Sequence, residues 1–267
     1  MTILFVTKSF VIGEMMLDDS QSLIETRDAE LKDLLESYEI TSSKEQRKQL
    51  LKHLELLIKV NKNINLTRIT SIDDALNLHI LDSLLPLKVC PKFSTANKKY
   101  VDIGTGGGFP GIPLSIMSNN QTYLIDSIGK KVDAVQNMII QLGISKRVSS
   151  VKLRAEEIPN SFKRSFDYVS FRAVAKTNTL LEYAEPFLAI GGFLIVMKAN
   201  IDQIELQNGF QAAKIFGYKC VSRETFELPS DYGHREILLF QKQFKSEIKL
   251  PRQTGMAKLK PVGIKNQ

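Results

Sequence analysis

One segment near the middle of the chain, Tyr100 to Pro110, constrains the fold more than any other. An apolar, strand-like run that includes Asp102 is followed by Gly104, Gly106 and Gly108. Because glycine has no Cβ, such a loop turns sharply and brings its backbone N–H groups close to a ligand. In an open α/β sheet, the loop after the first strand lies in the crevice where ligands bind. The segment therefore predicts an α/β fold with a nucleotide-type cofactor at this loop.

The sequence around these glycines is that of a ligand-binding loop. An apolar stretch suited to a helix comes next, and a second strand-like run then ends in Asp126. An acid about 20 residues beyond the first glycine is typical of such sites, because its carboxylate accepts hydrogen bonds from ribose hydroxyls. Glycines that merely end a strand would lack this context. We therefore expect Gly104, Gly106 and Gly108 to contact the cofactor and Asp126 to bind its ribose.

Two cofactors suit this loop. Gly106-x-Gly108-x-x-Gly111 matches the fingerprint of NAD-binding proteins, but Pro110 lies inside it and has no N–H to offer a pyrophosphate. Rossmann-like enzymes that use S-adenosylmethionine place an acid, here Asp102, before alternating glycines. That ligand has no phosphate and needs only a shallow glycine shelf. The loop alone favours S-adenosylmethionine and leaves NAD open.

Length and composition are those of a globular protein. The chain has 267 residues, of which 43% are hydrophobic and 24% charged. Cys90 and Cys220 form no metal or redox motif, so we expect a reducing cytosol. We find no apolar run near the about 20 residues that cross a bilayer. Residues 1–19 lack the features of a secretory signal, and we expect a flexible extension there or a translation start at Met15 or Met16.

Positive charge is concentrated at the C-terminus. The formal net charge is +7, and the segment from Lys242 onward contains seven Lys or Arg and one acid, Glu247. Prolines and glycines are interspersed there. We therefore predict a basic arm over residues 245–267 that is extended and able to contact phosphates. A solvated terminus that only aids solubility is the alternative.

The first part of the chain predicts helices. Apolar residues recur with helical spacing in three stretches, and sequences typical of helix N-termini precede the second and third. These are Ser42-x-x-Glu45, which resembles a capping box, and Ser71-x-x-Asp74. We predict a helical cap over residues 20–92.

After the cap, strands and helices alternate. The predicted strands are 100–104, 122–126, 148–152, 166–171 and 192–198. Two further runs, 218–228 and 235–243, predict an antiparallel hairpin. This order is that of a Rossmann-like class I methyltransferase, with a mostly parallel seven-stranded sheet and a C-terminal antiparallel hairpin. We assign residues 93–244 to this domain. No length remains for the substrate domain of a typical dehydrogenase.

Several strings, taken together and in order, resemble the bacterial RsmG (GidB) family. They are Asn65-Leu66-Thr67, His79 to Leu84, Asp102 to Leu114, Asp126-Ser127-x-x-Lys130-Lys131, Arg154-Ala155-Glu156, Ser170 to Val174, and Pro251-Arg252-x-x-Gly255 followed by Lys258 and Lys260. The match runs from about residue 20 to the C-terminus. Small departures from the family pattern occur at Phe171 and at Ala199-Asn200, which leaves the local backbone there in question.

The resemblance implies that the protein methylates N7 of one guanine in 16S ribosomal RNA, with S-adenosylmethionine as the donor. It also implies that the cofactor contacts Gly104, Phe109, Ala155, Glu156 and Arg172. The N7 lone pair is free at neutral pH, so the transfer needs no general base. Catalysis then consists mainly of positioning the reacting atoms. We accordingly expect no catalytic side chain.

The residues expected to bind the RNA are Asn65, His79, Arg172, Lys198 and Arg252. Arg172 and Lys198 end the fourth and fifth predicted strands, on the ligand side of the sheet. An ion pair is the alternative role for Arg172, and an interaction with Asp82 is the alternative for His79. Asn65 could equally serve only to form a turn.

We expect a cytoplasmic, monomeric enzyme whose partner is 16S ribosomal RNA or the small ribosomal subunit, with no metal and no membrane contact. Two other functions stay open from the residues alone. One is an NAD-dependent oxidoreductase. The other is a ribosome-binding module that keeps the fold without turnover.

Overall fold

The structure is a computed structural model that describes residues 27–95 and 97–264. The extension predicted for residues 1–19, with the alternative starts at Met15 or Met16, lies outside the described residues. So does the beginning of the predicted cap.

The described part of the cap is helical, as predicted. Its elements are α1 (27–37), α2 (Lys44–Asn61), α3 (Ile72–Ala75), a π-helical stretch (Leu76–Leu81), α4 (Asp82–Leu84), α5 (Pro86–Val89) and α6 (Lys92–Thr95). Ser71 caps α3 by accepting a hydrogen bond from the Asp74 N–H, which confirms that prediction. The predicted capping box at Ser42 is wrong by one residue, because Ser43 and Gln46 form the reciprocal pair of hydrogen bonds at the start of α2.

A seven-stranded sheet follows the cap. The strands are β1 (Lys99–Ile103), β2 (Gln121–Asp126), β3 (Val148–Lys152), β4 (Phe166–Arg172), β5 (Leu188–Lys198), β6 (Tyr218–Leu228) and β7 (Gly233–Lys242). Their order in the sheet is β3-β2-β1-β4-β5-β7-β6. β1 to β5 pair in parallel, and the β6–β7 hairpin is antiparallel. The predicted fold class is confirmed.

Helices cover both faces of this sheet. They are α7 (Gly111–Ile116), α8 (Gly129–Gln141), α9 (Thr177–Ala184), α10 (Gln203–Ile215) and α11 (Met256–Leu259), with 3-10 turns at Ala155–Glu157 and Asn160–Phe162. One hydrophobic core joins α7, α8 and the described part of the cap to one face of the sheet. A second core joins α9 and α10 to the opposite face. The cap therefore buries its apolar stripes against the sheet instead of forming a core of its own.

The C-terminal segment (residues 245–264) differs from the extended arm predicted for it. It folds back over α9 and α10 and contains α11. Ala257 is buried, and Ile248, Leu250 and Val262 pack against the second core. Arg252 forms two hydrogen bonds with the buried carboxylate of Glu182 on α9. These apolar residues between the cations account for the difference, because burying them favours a docked segment over an extended one.

A buried ion pair fixes the junction of α9, β7 and the C-terminal segment. Lys242 Nζ donates to Glu185 Oε1 over 2.9 Å, and both side chains are almost fully buried. Glu185 Oε1 also accepts from the Ser246 N–H, over 3.1 Å. Removing one partner of a buried pair leaves an uncompensated charge, whereas removing both avoids that cost.

We predict that Lys242→Met lowers the free energy of unfolding by about 3 kcal/mol, because it leaves the Glu185 carboxylate buried without its main cation. The double variant Lys242→Met/Glu185→Gln should recover much of that loss. Urea unfolding of the three proteins measures both effects. Equal losses in the single and double variants would contradict the prediction.

Candidate functional site

A first cavity, of about 370 Å³, lies beyond the carboxyl ends of β1, β2 and β3. Gly104 follows β1, Asp126 ends β2, and Ala155 and Glu156 follow β3; all four line the cavity. The structure therefore brings these four predicted cofactor residues together. They meet because the strands are parallel, so their carboxyl ends share one edge of the sheet.

Asp126 connects the glycine loop to the second strand. Its Oδ2 accepts a hydrogen bond from the Gly106 N–H over 3.1 Å, and its Oδ1 accepts one from the Ile128 N–H over 2.9 Å. A carboxylate oxygen has two lone pairs, so each oxygen keeps one acceptor position for a ligand. Asp126 can thus hold the loop and bind two hydroxyl groups at once.

The three predicted glycines have different surroundings. Gly104 lines the cavity with φ +77°, and a Cβ there would lie 2.7 Å from a methyl carbon of Val174. Gly106 acts through its N–H on Asp126. A Cβ on Gly108 would lie 2.6 Å from Ile112 on α7 and 3.2 Å from His53 of the cap. Only glycine therefore fits at positions 104 and 108.

Asp102, the acid before the glycines, holds the surroundings of the glycine loop in place through hydrogen bonds to β4 and α7. It is buried, and its Oδ1 accepts a hydrogen bond from Ser170 on β4 over 2.7 Å. Its Oδ2 accepts one from the Gly111 N–H at the start of α7, over 3.1 Å. Burial raises the pKa of Asp102 to about 6. The acid of this motif therefore ties β1 to β4 and to α7.

Phe109, a predicted cofactor contact, lies between the glycine loop and the cap. It is buried and stacks on His53 of α2 and on His79 of the π-helical stretch, with ring centroids 4.5 and 4.3 Å apart. The guanidinium carbon of Arg172 lies 5.4 Å from the centroid of the Phe109 ring. In this arrangement Phe109 joins the cap to the loop.

A second cavity, of about 290 Å³, lies beyond the carboxyl ends of β4 and β5, and residues of the cap line it. Three of the predicted RNA-binding residues, His79, Arg172 and Lys198, line it together with Asp82 and Arg235. Arg172 was predicted to contact both cofactor and RNA, and the structure places it in this cavity. The π-helical stretch brings the cap side chains here; such stretches are frequent at functional sites.

Asp82 holds two arginines at this second cavity. Its Oδ2 accepts from Arg172 Nη1 and its Oδ1 accepts from Arg235 Nε, each over 3.0 Å. Arg172 Nη1 also donates to the Leu78 carbonyl over 3.0 Å. The ion pair considered for Arg172 from sequence is thus present, and it spans the cap and β4.

His79 is neutral in this setting. Burial, and then the charge of Arg172, lower the pKa of His79 to about 3. Its Nδ1 lies 3.5 Å from Arg172 Nη2, a group that only donates, and its Nε2 lies 2.9 Å from Thr67 Oγ1. We assign the proton to Nε2 on that basis.

The remaining predicted RNA contacts are placed as follows. Lys198 Nζ donates to the Ala175 carbonyl over 2.7 Å and pairs with Glu205 over 2.6 Å, while its side chain lines the second cavity. Asn65 is exposed on the irregular segment between α2 and α3. Arg252 lies in the C-terminal segment and is paired with Glu182 on α9; it lines neither of the two cavities.

Several residues that line the two cavities were not among the predicted contacts, and five of them matter here. Arg235 lies in the final hairpin, where no motif marks it. The others line the first cavity: Tyr183, Thr254, Gly255 and Lys258. The string Pro251-Arg252-x-x-Gly255 has positive charge as its local signal, and charge alone does not predict that the segment lies beside the first cavity.

Comparison with known proteins now assigns the family. The sequence model of the family described as rRNA small subunit methyltransferase G matches residues 46–230. Proteins named ribosomal RNA small subunit methyltransferase G are 33% identical to this chain in Lactobacillus acidophilus and 35% identical in Leuconostoc mesenteroides, each over 231 residues. Both alignments cover 85% of this chain and 96% of the relative. The chain belongs to the rRNA small subunit methyltransferase G family.

Membership makes the protein a methyltransferase dependent on S-adenosylmethionine. The crystal structure of a proposed S-adenosyl-L-methionine-dependent methyltransferase from Methanococcus maripaludis superposes with a TM-score of 0.51 at 14% identity. That alignment covers 73% of this chain and 94% of the other, and it agrees with the fold described above. The comparisons give no support to an NAD-dependent oxidoreductase or to a non-catalytic ribosome-binding module.

Two features are absent from residues 27–95 and 97–264. Within these ranges, no group of three or more His, Cys, Asp or Glu side chains is arranged to hold a metal ion. No helix within them combines the length and apolar character that spanning a bilayer requires.

The buried histidine His53 generates a prediction about acid stability. Burial lowers its pKa to about 3, although its Nε2 lies 3.2 Å from the Gly107 carbonyl. The unfolded chain therefore binds a proton at this position below its ordinary pKa, near 6.5, while the folded protein does not. His53 consequently destabilises the fold progressively as the pH falls from about 6.5 toward 3.

We predict that His53→Gln makes the loss of unfolding free energy between pH 7 and pH 5 smaller by about 2 kcal/mol. Glutamine keeps an N–H for the Gly107 carbonyl but has no proton to take up. Urea unfolding of both proteins at each pH tests this, and the pH 7 pair separates any packing defect from the proton effect. The same loss in variant and wild type would refute it.

Proposed function

We propose that this methyltransferase transfers a methyl group from S-adenosylmethionine to N7 of a guanine in 16S ribosomal RNA. The observation that carries the proposal is the pair of cavities along one edge of the sheet in a member of the rRNA small subunit methyltransferase G family. The first cavity suits the donor and the second suits the nucleotide.

The residues of the first cavity fit the three parts of the donor. We assign the ribose hydroxyls to Asp126, whose oxygens each retain one acceptor position. The adenine is assigned to Ala155 and Glu156, beside β3. The amino-acid end is assigned to the glycine loop at Gly104 and Gly106. Gly108 and Phe109 would then support the loop from the cap side.

The second cavity is suited to the nucleotide because of its position and its charge. Val174 lines the first cavity, whereas Arg172 and Ala173 line the second, so the end of β4 borders both. Arg172 and Arg235 share the single carboxylate of Asp82, which leaves one positive charge for an anionic substrate. Asn65, exposed on the cap, remains a proposed contact for RNA outside this cavity, and Arg252 in its ion pair is the weakest member of the predicted set.

The chemistry requires positioning more than proton transfer. When bound, the donor supplies an electrophilic methyl group on a sulfonium. N7 of guanine has a free lone pair at neutral pH, so the chain need not supply a general base. The neutral state of His79 agrees with a wall that orients the base. We propose that the protein accelerates the reaction by holding nucleotide and donor in line across the end of β4.

We also propose a cytoplasmic monomer whose substrate is 16S ribosomal RNA, either bare or in the small subunit. Cys90 and Cys220 are both free thiols, which agrees with a reducing compartment.

Asp126→Ala should weaken binding of S-adenosylmethionine by at least about tenfold, since hydrogen bonds to a charged group contribute about 1.5–3 kcal/mol each. Asp133→Ala, an exposed acid on α8, is the matched control and should bind as the wild type does. Calorimetric titration with S-adenosylmethionine, S-adenosylhomocysteine and NAD measures the affinities. Binding of NAD alone would favour the oxidoreductase instead.

Arg172→Gln should lower kcat/KM for RNA by about tenfold or more, through loss of a charge-assisted contact, and leave the donor affinity near that of the wild type. Lys163→Gln, an exposed cation away from both cavities, serves as control. The assay follows labelled methyl groups into small subunits from cells lacking this protein. RNA binding without any transfer by the wild type would indicate a non-catalytic module.

A further inference from the structure

The C-terminal segment forms one wall of the first cavity. Thr254, Gly255 and Lys258 line it, opposite the ends of the strands. The residues thus come from a part of the chain that lies beyond the last strand and more than 100 positions from the glycine loop. A cavity assigned to a cofactor is therefore incomplete without this segment.

One hydrogen bond links the segment to the adenine side of the cavity. The Gly255 N–H donates to Glu156 Oε1 over 3.2 Å. Gly255 has φ +87°, a conformation that side chains disfavour, and it precedes α11. Tyr183 lines the same part of the cavity, and burial followed by the nearby Glu156 charge raises its pKa to about 12. The Glu156 carboxylate thus interacts with both α9, through Tyr183, and the C-terminal segment, through Gly255.

Strong anchors hold the segment in place on both sides of this contact. Arg252 donates from Nε to Glu182 Oε1 over 2.8 Å and from Nη2 to Glu182 Oε2, and Glu182 is only 4% exposed. Such a bidentate pair fixes geometry as well as adding energy. Thr179 on α9 donates to the Ala257 carbonyl over 3.2 Å, and Asn178 donates to the Val262 carbonyl over 3.0 Å.

The Arg252 anchor also occupies one of the cations that suggested a phosphate-binding arm. The Arg252 guanidinium faces a buried carboxylate and the Lys260 carbonyl, so it is engaged within the protein. Lys249, in contrast, is exposed in the same segment. The two cations therefore have different environments. Substituting Arg252 tests the docking of the segment, whereas substituting Lys249 tests attraction of RNA by an exposed charge.

We infer that the C-terminal segment is a built part of the methyl-donor site, in which Thr254, Gly255 and Lys258 contact the adenosyl end and Arg252 acts as the positioning residue that keeps them docked. The inference rests on the proposed function of the first cavity. Because the donor contacts the docked segment, donor binding and docking favour each other. A protein in which the segment is docked only a tenth of the time would bind the donor about tenfold more weakly.

The first test is hydrogen exchange of the full chain with and without S-adenosylhomocysteine. Peptides that cover residues 250–260 should exchange more slowly with the ligand bound. The second test compares Arg252→Gln, Arg252→Lys and Lys249→Gln by calorimetry and by methyl-transfer kinetics. We expect Arg252→Gln to raise the Kd for S-adenosylhomocysteine and the KM for S-adenosylmethionine about tenfold, with the KM for RNA unchanged. Arg252→Lys should recover part of the affinity, and Lys249→Gln should retain all of it.

Two results would overturn the inference. One is unchanged exchange of residues 250–260 on ligand binding, which needs no variant and so does not depend on how a variant folds. The other is a raised KM for RNA in both Arg252→Gln and Lys249→Gln with donor affinity intact, as expected of a phosphate-binding arm. Either result leaves the proposed function standing if wild type binds S-adenosylhomocysteine and transfers methyl groups. Failure of wild type to bind that ligand would refute the proposed function and this inference together.

Discussion

The shared carboxylate of Asp82 is the interaction on which the arrangement of the two cavities depends. It lies in the cap and accepts hydrogen bonds from Arg172 at the end of β4 and from Arg235 on β7. Without it, two half-buried cations, on the strands β4 and β7 that flank β5, would face each other at the mouth of the sheet. The acid thus fixes the cap over β4, β5 and β7 and positions the guanidinium groups that line the second cavity. A single residue therefore joins the packing of the cap to the electrostatics of the site.

The attachment of the cap also determines the surroundings of the end of β4, where the two cavities meet. Residues 172–174 border both cavities, so the two proposed ligand sites meet at the end of this strand. Phe109 stacks against two cap histidines directly beside this strand end. The histidines are kept neutral by burial, which lets them pack against an aromatic ring without the cost of a buried charge. The cap is accordingly as much a part of the site as the sheet is.

Sequence patterns predicted the elements that have local signals. Five parallel strands, the final hairpin, the cap on α3 and the meeting of Gly104 with Asp126 all follow from period, turn residues and the edge rule for parallel sheets. Ala155 and Glu156 were expected at the same site from the family resemblance. Contacts between distant parts of the chain had no such signal. The pairs Asp82–Arg235 and Arg252–Glu182 join residues far apart in sequence, and nothing local distinguishes these charges from solvated ones.

The C-terminal segment is a second case in which the local sequence did not reveal a long-range contact. Its net positive charge was visible in the sequence, and its apolar residues were visible too, but they are too widely spaced to form a helical or strand-like pattern. Their burial becomes evident only against the surface of α9 and α10, which is itself a product of the fold. The segment is basic, as its composition indicated, but it is docked and not extended, because burial of its apolar residues favours contact with the second core.

A reaction that depends on positioning needs a rigid loop, and three polar side chains from separate elements supply that rigidity here. Asp126 on β2 holds the Gly106 N–H, Asp102 on β1 holds the Gly111 N–H, and His53 on α2 donates to the Gly107 carbonyl. Backbone groups that are held from three directions lose little further freedom when a ligand binds, so more of the binding energy is available to align it. One of the three comes from the cap. The geometry of the glycine loop is therefore determined jointly by the sheet and the cap, and neither alone would fix it.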